Sequence, residues 1–289
     1  RAGRAGRTEP GIAIRLWHAG QTAALPAFTP PQILSSDLSG FALDLAHWGV
    51  SDPASLKFLD QPPASTLKEA NALLQGLGAL DRSGAMTARG KLMREMALPP
   101  RLAAMVLAAE ELGCGHEASL LAVLLTEQGL GGNEIDLEER LRRFKGEKTE
   151  RAAAAKGLAK RLLSSLPGKR DGSEAPLTAG QLLLHAFPDR IAFQRGGRGR
   201  YVMANGRGGE VEETQRLAAE KMLVVADIVG RAARPKILAA ASISLRDVDA
   251  FLPEAIVKED QLFFDKQSGQ VRERRVSRIG AIIHDETPL

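Results

Sequence analysis

The apolar residues of this chain follow two different spacings, and the change between them divides the sequence. From about residue 36 to residue 166, leucine, alanine and methionine recur every three to four residues, which is the period of an α-helix. Beyond residue 187, short β-prone runs are separated by glycine, asparagine and arginine, as in strands joined by tight turns. The pattern predicts a mainly helical part followed by a small β domain.

The first helical region, residues 33–100, has the order helix, helix, hairpin, helix. A helix is expected from Ser36 or Asp37 to Gly49, and a second one after Ser65 and Thr66. Two short apolar pieces around an Asp/Ser/Gly turn at 79–86 indicate a small hairpin, after which Thr87 can cap a third helix. This order is typical of a winged-helix module.

The next region, residues 101–186, shows almost no strand signal. Successive helices are expected at 102–112, 118–128, 137–144 and 151–166, and a polar loop at 169–176. This region is therefore predicted to be a helical bundle.

The β domain is expected at residues 187–252. Its strands are predicted at 191–193, 200–204 and 223–228, in a small antiparallel barrel or sandwich, followed by a short helix at 244–252. A terminal hairpin, with strands at 261–264 and 271–283, is expected around Ser268-Gly269.

The first residues of the chain show a different pattern. Ile12, Ile14 and Leu16 alternate, which predicts one short strand at residues 11–17. One strand cannot form a sheet by itself, so we expect its sheet to lie in a longer parent protein. Residues 18–32 contain three prolines and are expected to be a connector.

Composition narrows the classes of function. The 289 residues include 44% hydrophobic and 26% charged residues, enough for two or three compact units. Basic residues number 39 against 35 acidic ones, and this net charge of +4 is compatible with an anionic partner. Cys114 is the only cysteine, which excludes an intrachain disulfide and a multi-cysteine zinc site. We expect a cytoplasmic monomer with no membrane span and no metal ligands of its own.

The strongest candidate for chemistry is Arg1-Ala2-Gly3-Arg4-Ala5-Gly6-Arg7, directly before the predicted strand. Arginines spaced by small residues can approach phosphate oxygens and bind them as bidentate donors. Such groups can stabilise charge on a transferring γ-phosphoryl group. A disordered basic end is the alternative that spacing alone leaves open.

The segment resembles the end of the sixth motif of DEAH-type helicases, Gln-Arg-x-Gly-Arg-x-Gly-Arg followed by a glycine and a strand. Further pieces resemble this family in the same order, at residues 33–39, 59–63, 77–81, 87–91 and 98–101. Phe187-Pro188-Asp189-Arg190 and Asn205-Gly206-Arg207-Gly208 resemble the family's oligonucleotide-binding (OB) fold in its HrpB group. The tail after Pro253 resembles the C-terminal extension of that group. The likeness covers nearly the whole chain and is strongest over residues 1–101.

The resemblance implies a division of the chain into six parts. They are the end of a second RecA-like α/β domain at 1–17, a connector at 18–32, a winged helix at 33–100, a helical ratchet bundle at 101–186, an OB-like domain at 187–252 and a HrpB-type extension at 253–289. It also implies an ATP-dependent helicase that moves along single-stranded RNA or DNA.

The same resemblance assigns roles to the arginine segment. Arg4 and Arg7 would reach the γ-phosphate of ATP, while Arg1, Gly3 and Gly6 would complete the nucleotide-binding segment. The N-terminal RecA-like domains of the parent would hold ATP and Mg²⁺, because no Gly-x-x-x-x-Gly-Lys-Ser/Thr motif occurs in the chain. The chain alone is therefore expected to be inactive.

Two further basic segments are candidates for nucleic-acid binding. Arg195, Arg198 and Arg200 stand beside Tyr201, so they could pair with phosphates while the tyrosine stacks on a base. The alternative is an ordinary hairpin turn whose glycines serve geometry. Residues 140–170 hold eleven lysines and arginines against two glutamates, which could track phosphates or form a solvated face.

Aromatic residues make up only 4% of the chain, so contact mainly with the nucleic-acid backbone is expected, without sequence specificity. A non-enzymatic winged-helix or OB nucleic-acid-binding module is the rival interpretation of the whole chain. It leaves the arginine segment at residues 1–7 without a purpose.

Overall fold

The computed structural model describes residues 2–25, 28–50, 52–164, 166, 176–230, 235–265 and 269–288. Arg1, Ser268 and most of the predicted loop at 169–176 lie outside these ranges. The helices are α1 (Ala2–Ala5), α2 (Ala19–Ala23), α3 (Ser39–His47), α4 (Ala64–Gly76), α5 (Ala88–Glu95), α6 (Pro100–Glu111), α7 (Gly115–Thr126), α8 (Leu137–Gly146), α9 (Glu150–Ser164), α10 (Ala179–Leu184) and α11 (Leu245–Phe251). The strands are β1 (Ile191–Gln194), β2 (Arg200–Met203), β3 (Gly208–Glu210), β4 (Met222–Val229), β5 (Lys236–Ser242), β6 (Ile256–Asp265), β7 (Gln270–Ile279) and β8 (Ile282–Pro288).

The first helical unit, α3 to α5, forms as the apolar spacing predicts. Asp37 accepts a hydrogen bond from the Ser39 amide at 2.7 Å, so the helix begins just after the predicted cap. The predicted hairpin is reduced to one bridge, between Leu80 and Met86. Thr87 caps α5 as expected, because its hydroxyl oxygen accepts from the Gly90 amide at 3.0 Å.

The bundle consists of the four predicted helices, α6 to α9, and one that the spacing did not predict. α9 packs on α7 through the buried Ala152, Ala155 and Ala159. The unpredicted helix, α10, contacts α6, α7, α8, α11, β4 and β5 and so lies at the centre of the molecule. Its six residues are too few to show a helical period, although Thr178 and Gln181 form a capping box at its start.

A closed barrel follows, with the strand order β1-β2-β3-β5-β4. The three predicted strands are confirmed, and all pairings are antiparallel except β3 with β5. The two strands that sequence reasoning missed have weak β signals. β3 contains two glycines and β5 is rich in alanine, and both residue types are depleted in strands.

The terminal hairpin is longer than predicted. β6 and β7 pair over ten positions, from Ile256↔Ile279 to Asp265↔Gln270, and β8 adds a third strand. The sheet lies against the barrel, where the Ala281 amide donates to the carbonyl of Ala204 at 2.8 Å.

The strand predicted at residues 11–17 is not formed in this structure. Ile12, Ile14 and Leu16 are 80–92% exposed, and no described strand lies beside them. A strand is held by hydrogen bonds to a neighbouring strand, so alternation without a partner leaves irregular chain.

One apolar core connects these units. It runs from Leu38 in the first unit through the bundle to Met222 in the barrel and Ile279 in the terminal sheet, while a second cluster fills the barrel. No helix in the described ranges is long and apolar enough to cross a bilayer.

Candidate nucleotide and nucleic-acid sites

The arginine segment is exposed over its described residues, Gly3 to Arg7. Within the described ranges, neither Arg4 nor Arg7 has a carboxylate partner. A side chain added at Gly3 or Gly6 would meet nothing within 4 Å, so packing inside the chain does not require glycine there. Both guanidinium groups are thus available to an outside anion.

The second basic segment is the turn between β1 and β2. Arg195, Arg198 and Arg200 are all exposed. Gly199 has φ of +76°, and a Cβ there would stand 2.3 Å from the carbonyl oxygen of Val211. Glycine at this position therefore serves the geometry of the turn, as the alternative interpretation proposed.

Two of these arginines each donate one hydrogen bond to a backbone carbonyl. Arg198 donates from Nε to the carbonyl of Glu213 at 3.1 Å, and Arg195 donates from Nη2 to the carbonyl of Ile283 at 3.3 Å. A guanidinium has five N–H donors, so most of its binding capacity remains for phosphate oxygens.

Tyr201 does not have the role predicted for it, because it cannot stack on a base. Its side chain points into the barrel and is only 2% exposed. The hydroxyl donates towards the carbonyl oxygens of Leu217 at 2.6 Å and Glu220 at 2.7 Å. Burial and the nearby Glu220 charge raise the pKa of Tyr201 to about 12. Tyr201 therefore has a structural role inside the barrel. Only the three arginines of this segment remain as candidates for nucleic-acid binding.

The aromatic ring on the outer side of β1 is also covered. Phe193 stacks on His284 of β8, with ring centroids 6.0 Å apart and ring planes 10° from parallel. The terminal sheet thus occupies this face of the barrel. Neither residue stood out in the sequence, because their contact joins positions far apart along the chain.

In the described part of the basic stretch at residues 140–170, three basic side chains form ion pairs and two others donate to carbonyls. Arg142 and Arg143 both bind Glu139, at 2.7 Å each, and hydrogen bonds from these two arginines lower the pKa of Glu139 to about 2. Lys145 pairs with Glu117 at 2.5 Å. Lys156 donates to the carbonyls of Lys145 and Glu147. For the residues involved, these contacts favour the solvated, ion-paired face over a phosphate track.

Four residues form a compact group where the bundle meets the barrel; we call it the junction cluster: Arg101, Phe187, Asp189 and Arg190. Arg101 binds Asp189 through Nη1 and Nη2, at 2.6 and 3.1 Å, and Nη1 also donates to the carbonyl of Ala186 at 3.1 Å. The Phe187 ring lies 5.2 Å from the guanidinium of Arg101 and 5.1 Å from that of Arg190. The sequence motifs at 98–101 and 187–190 are thus brought together.

The carboxylate of the junction cluster is bound within the protein. Burial alone would raise the pKa of Asp189, but hydrogen bonds and charge from Arg101 outweigh it, and the pKa is lowered. Arg190 donates to the carbonyl of Ala226 in β4 at 2.9 Å. Since the carboxylate is already bound, this cluster serves structure and is not a free site.

Comparison with known proteins shows which proteins this chain is similar to. No protein-family profile matches the chain. A solved structure of the DExH-box NTPase HrpB from E. coli superposes with a TM-score of 0.80 at 32% identity, and a second structure, of the DEAH/RHA helicase HrpB from Escherichia coli, does so with a TM-score of 0.78 at 32% identity. Each match covers 100% of this chain and 35% of the other. The chain is related to the DEAH-type helicases, and the resemblance found in the sequence is confirmed.

Within that class the relationship is to HrpB. The chain is 36% identical over 292 aligned residues to the ATP-dependent RNA helicase HrpB of Escherichia coli K12. The match includes the whole chain and 35% of the relative, so the chain spans about a third of the length of the proteins it resembles. Its helices and small closed barrel correspond to the C-terminal region of HrpB.

Proposed function

We propose that this chain is the C-terminal part of an ATP-dependent helicase that moves along single-stranded RNA or DNA. The observation that carries the proposal is the 36% identity to an ATP-dependent RNA helicase across 100% of the chain. That relative's substrate makes RNA the first candidate. In this proposal a RecA-like domain ends at residues 1–17. It is followed by a winged helix at 33–100, a ratchet bundle at 101–186, an OB-like domain at 187–252 and an extension at 253–289.

ATP and Mg²⁺ would bind mainly to RecA-like domains elsewhere in the longer protein. When bound, ATP supplies the phosphoryl group whose hydrolysis drives movement. Arg4 and Arg7 would point guanidinium groups at the γ-phosphate, and Arg1, Gly3 and Gly6 would complete that segment. The exposure of Arg4 and Arg7, and their lack of a carboxylate partner among the described residues, support this role.

Arg195, Arg198 and Arg200 would bind phosphates of the nucleic-acid strand. The buried Tyr201 and the covered Phe193 leave this turn without an exposed aromatic among its described residues, so the contact would be to the backbone. Phosphate contacts carry no sequence information by themselves. The parent helicase would therefore bind strands of any sequence.

The activity is tested first with the full-length protein. Its ATP turnover should rise when single-stranded RNA is added, while a purified chain of residues 1–289 should hydrolyse no ATP above background. A full-length protein that binds RNA but lacks ATP turnover would favour the rival, a non-enzymatic binding module. Turnover by the isolated chain would contradict the assignment of ATP binding to other domains.

The barrel turn is tested by the salt dependence of binding. Removing one arginine that binds a phosphate should reduce the slope of log affinity against log salt by about 0.7 for a single strand. Arg198→Ala with Arg200→Ala should flatten that slope by about 1.4. The matched control is Arg142→Ala, which removes an exposed arginine held by Glu139 and should leave the slope unchanged. If the turn variant and the wild type have the same slope, Arg198 and Arg200 do not bind phosphates and the turn is purely structural.

A further inference from the structure

The barrel must be held in one orientation if its arginine turn is to face a strand bound elsewhere in the helicase. Apolar packing joins the barrel to the bundle, but the hydrophobic effect has no direction and fixes orientation poorly. A bidentate arginine–carboxylate pair fixes both distance and angle, because two parallel hydrogen bonds lock the planes of the two groups together. The junction cluster contains such a pair.

Arg101 is suited to this task by its position. It lies in the first turn of α6, the helix that contacts α3, α5, α7 and α10. Its side chain is 12% exposed, and the partner, Asp189, is 88 residues further along the chain. Pairs such as Arg142 with Glu139 are local on one helix. A second long-range pair, Arg216 with Asp136, joins the start of α8 to the turn before β4 and is a further link of this kind.

Asp189 and Arg190 are suited to it from the barrel side. They form a single turn that leads directly into β1. The carbonyl of Asp189 accepts from the Asn205 amide, in the turn after β2, at 3.0 Å. Arg190 binds the carbonyl of Ala226 in β4. The cluster therefore holds β1, β2 and β4 at one end of the barrel, while Arg195 to Arg200 lie at the other end of β1 and β2.

We propose that the Arg101–Asp189 pair positions the barrel relative to α6 and so determines where the arginine turn meets the nucleic-acid strand. The Phe187 ring, within 5.2 Å of both guanidinium groups, packs against this pair. This inference rests on the proposed helicase function. It makes Arg101 and Asp189 positioning residues that touch neither ATP nor the strand.

The proposal is tested in the full-length protein by the number of base pairs separated per ATP hydrolysed. Arg101→Lys keeps the charge and loses the planar fork, and Asp189→Asn loses the charge and keeps the size. In both variants strand separation per ATP should fall about tenfold or more, since small misplacements of binding groups cost rate steeply. RNA-stimulated ATP turnover should stay within about twofold of wild type, because the nucleotide site is elsewhere.

The matched control is Asp44→Asn, which breaks the 2.7 Å pair between Asp44 and Arg94 inside the first helical unit. It should lower the melting temperature without changing base pairs separated per ATP. If Asp189→Asn does not fold, Arg101→Lys decides the question. An unchanged ratio in the folded variants would overturn the proposal, and so would loss of both activities in proportion to folded protein. A wild-type protein without ATP turnover would instead refute the proposed function itself.

Discussion

The arginines of this chain differ in what already binds them, and that difference separates structural from functional candidates. Arg142 and Arg143 share Glu139, and Arg101 is bound by Asp189. Arg4 and Arg7 have no such partner among the described residues. A guanidinium without a carboxylate is the better candidate for binding a phosphate, since it gives up no ion pair to do so.

The role proposed for the arginine segment predicts a selective loss of ATP turnover. In the full-length protein, Arg4→Ala or Arg7→Ala should reduce turnover by about 10³-fold, because an arginine at the γ-phosphate stabilises transition-state charge. Lysine at either position should not restore it, since an ammonium lacks the planar fork. RNA affinity should stay close to wild type.

Turnover and melting temperature are measured on the same samples. A structural arginine would lower both together. Full activity in a folded double variant would remove the assignment.

Tyr201 shows how far the sequence could specify the site. Its place beside three arginines suggested base stacking, whereas β2 alternates, with Arg200 outside and Tyr201 inside. The alternation was visible in the sequence, but it did not show which face was inward, because that depends on how the barrel closes. The junction cluster was even harder to predict from the sequence, because Arg101 and Asp189 are 88 residues apart along the chain.

At the scale of elements, Tyr201 ties β2 to the 3-10 turn at Arg216–Ala219 and the residue after it. Tyr201→Phe removes the hydroxyl and leaves the carbonyls of Leu217 and Glu220 without this donor. We expect a loss of about 1–3 kcal/mol in the free energy of unfolding, the usual cost of an unsatisfied buried group. RNA affinity of the folded protein should be unchanged.

Urea unfolding and RNA titration of the same preparation measure both effects. Tyr201→Phe with wild-type stability and weaker RNA binding would show that the hydroxyl contacts the strand instead of these carbonyls.

Elements were predictable where periodicity was long and uninterrupted. α6, α7 and α9 each continue for at least 12 residues, which is enough for the helical spacing to stand out. α10 has only six residues, and β5 carries alanines where strands usually carry β-branched residues. The strand at 11–17 was predicted from alternation alone, and alternation does not supply a neighbouring strand.

At the scale of the whole molecule, two histidines make stability depend on pH. Burial lowers the pKa of His185 and of His284, and each Nε2 is buried with no hydrogen-bond partner in the described structure. The unfolded chain, with histidine pKa near 6.5, takes up protons more readily than the folded one. Stability is therefore full above that value and is lost as pH falls through it towards the lower folded values.

We expect the melting temperature to fall between about pH 7.5 and pH 5.5, a range above the titration of the carboxylates. A double variant, His185→Phe with His284→Phe, should lose most of this dependence, because phenylalanine can keep the ring contacts with Phe251 and Phe193. Calorimetric scans across the range measure it. The same slope in the double variant would show that other groups are responsible.

The continuous core limits which parts of this chain could be exchanged with a related protein. Because the apolar contacts of Met222 and Ile279 belong to the same cluster as those of Leu38, a barrel grafted alone into another protein would carry bare apolar surfaces on two sides. Such a chimera should aggregate unless its host supplies matching side chains. The interchangeable piece is the assembly from α3 to β8, which recombination would have to move as a block.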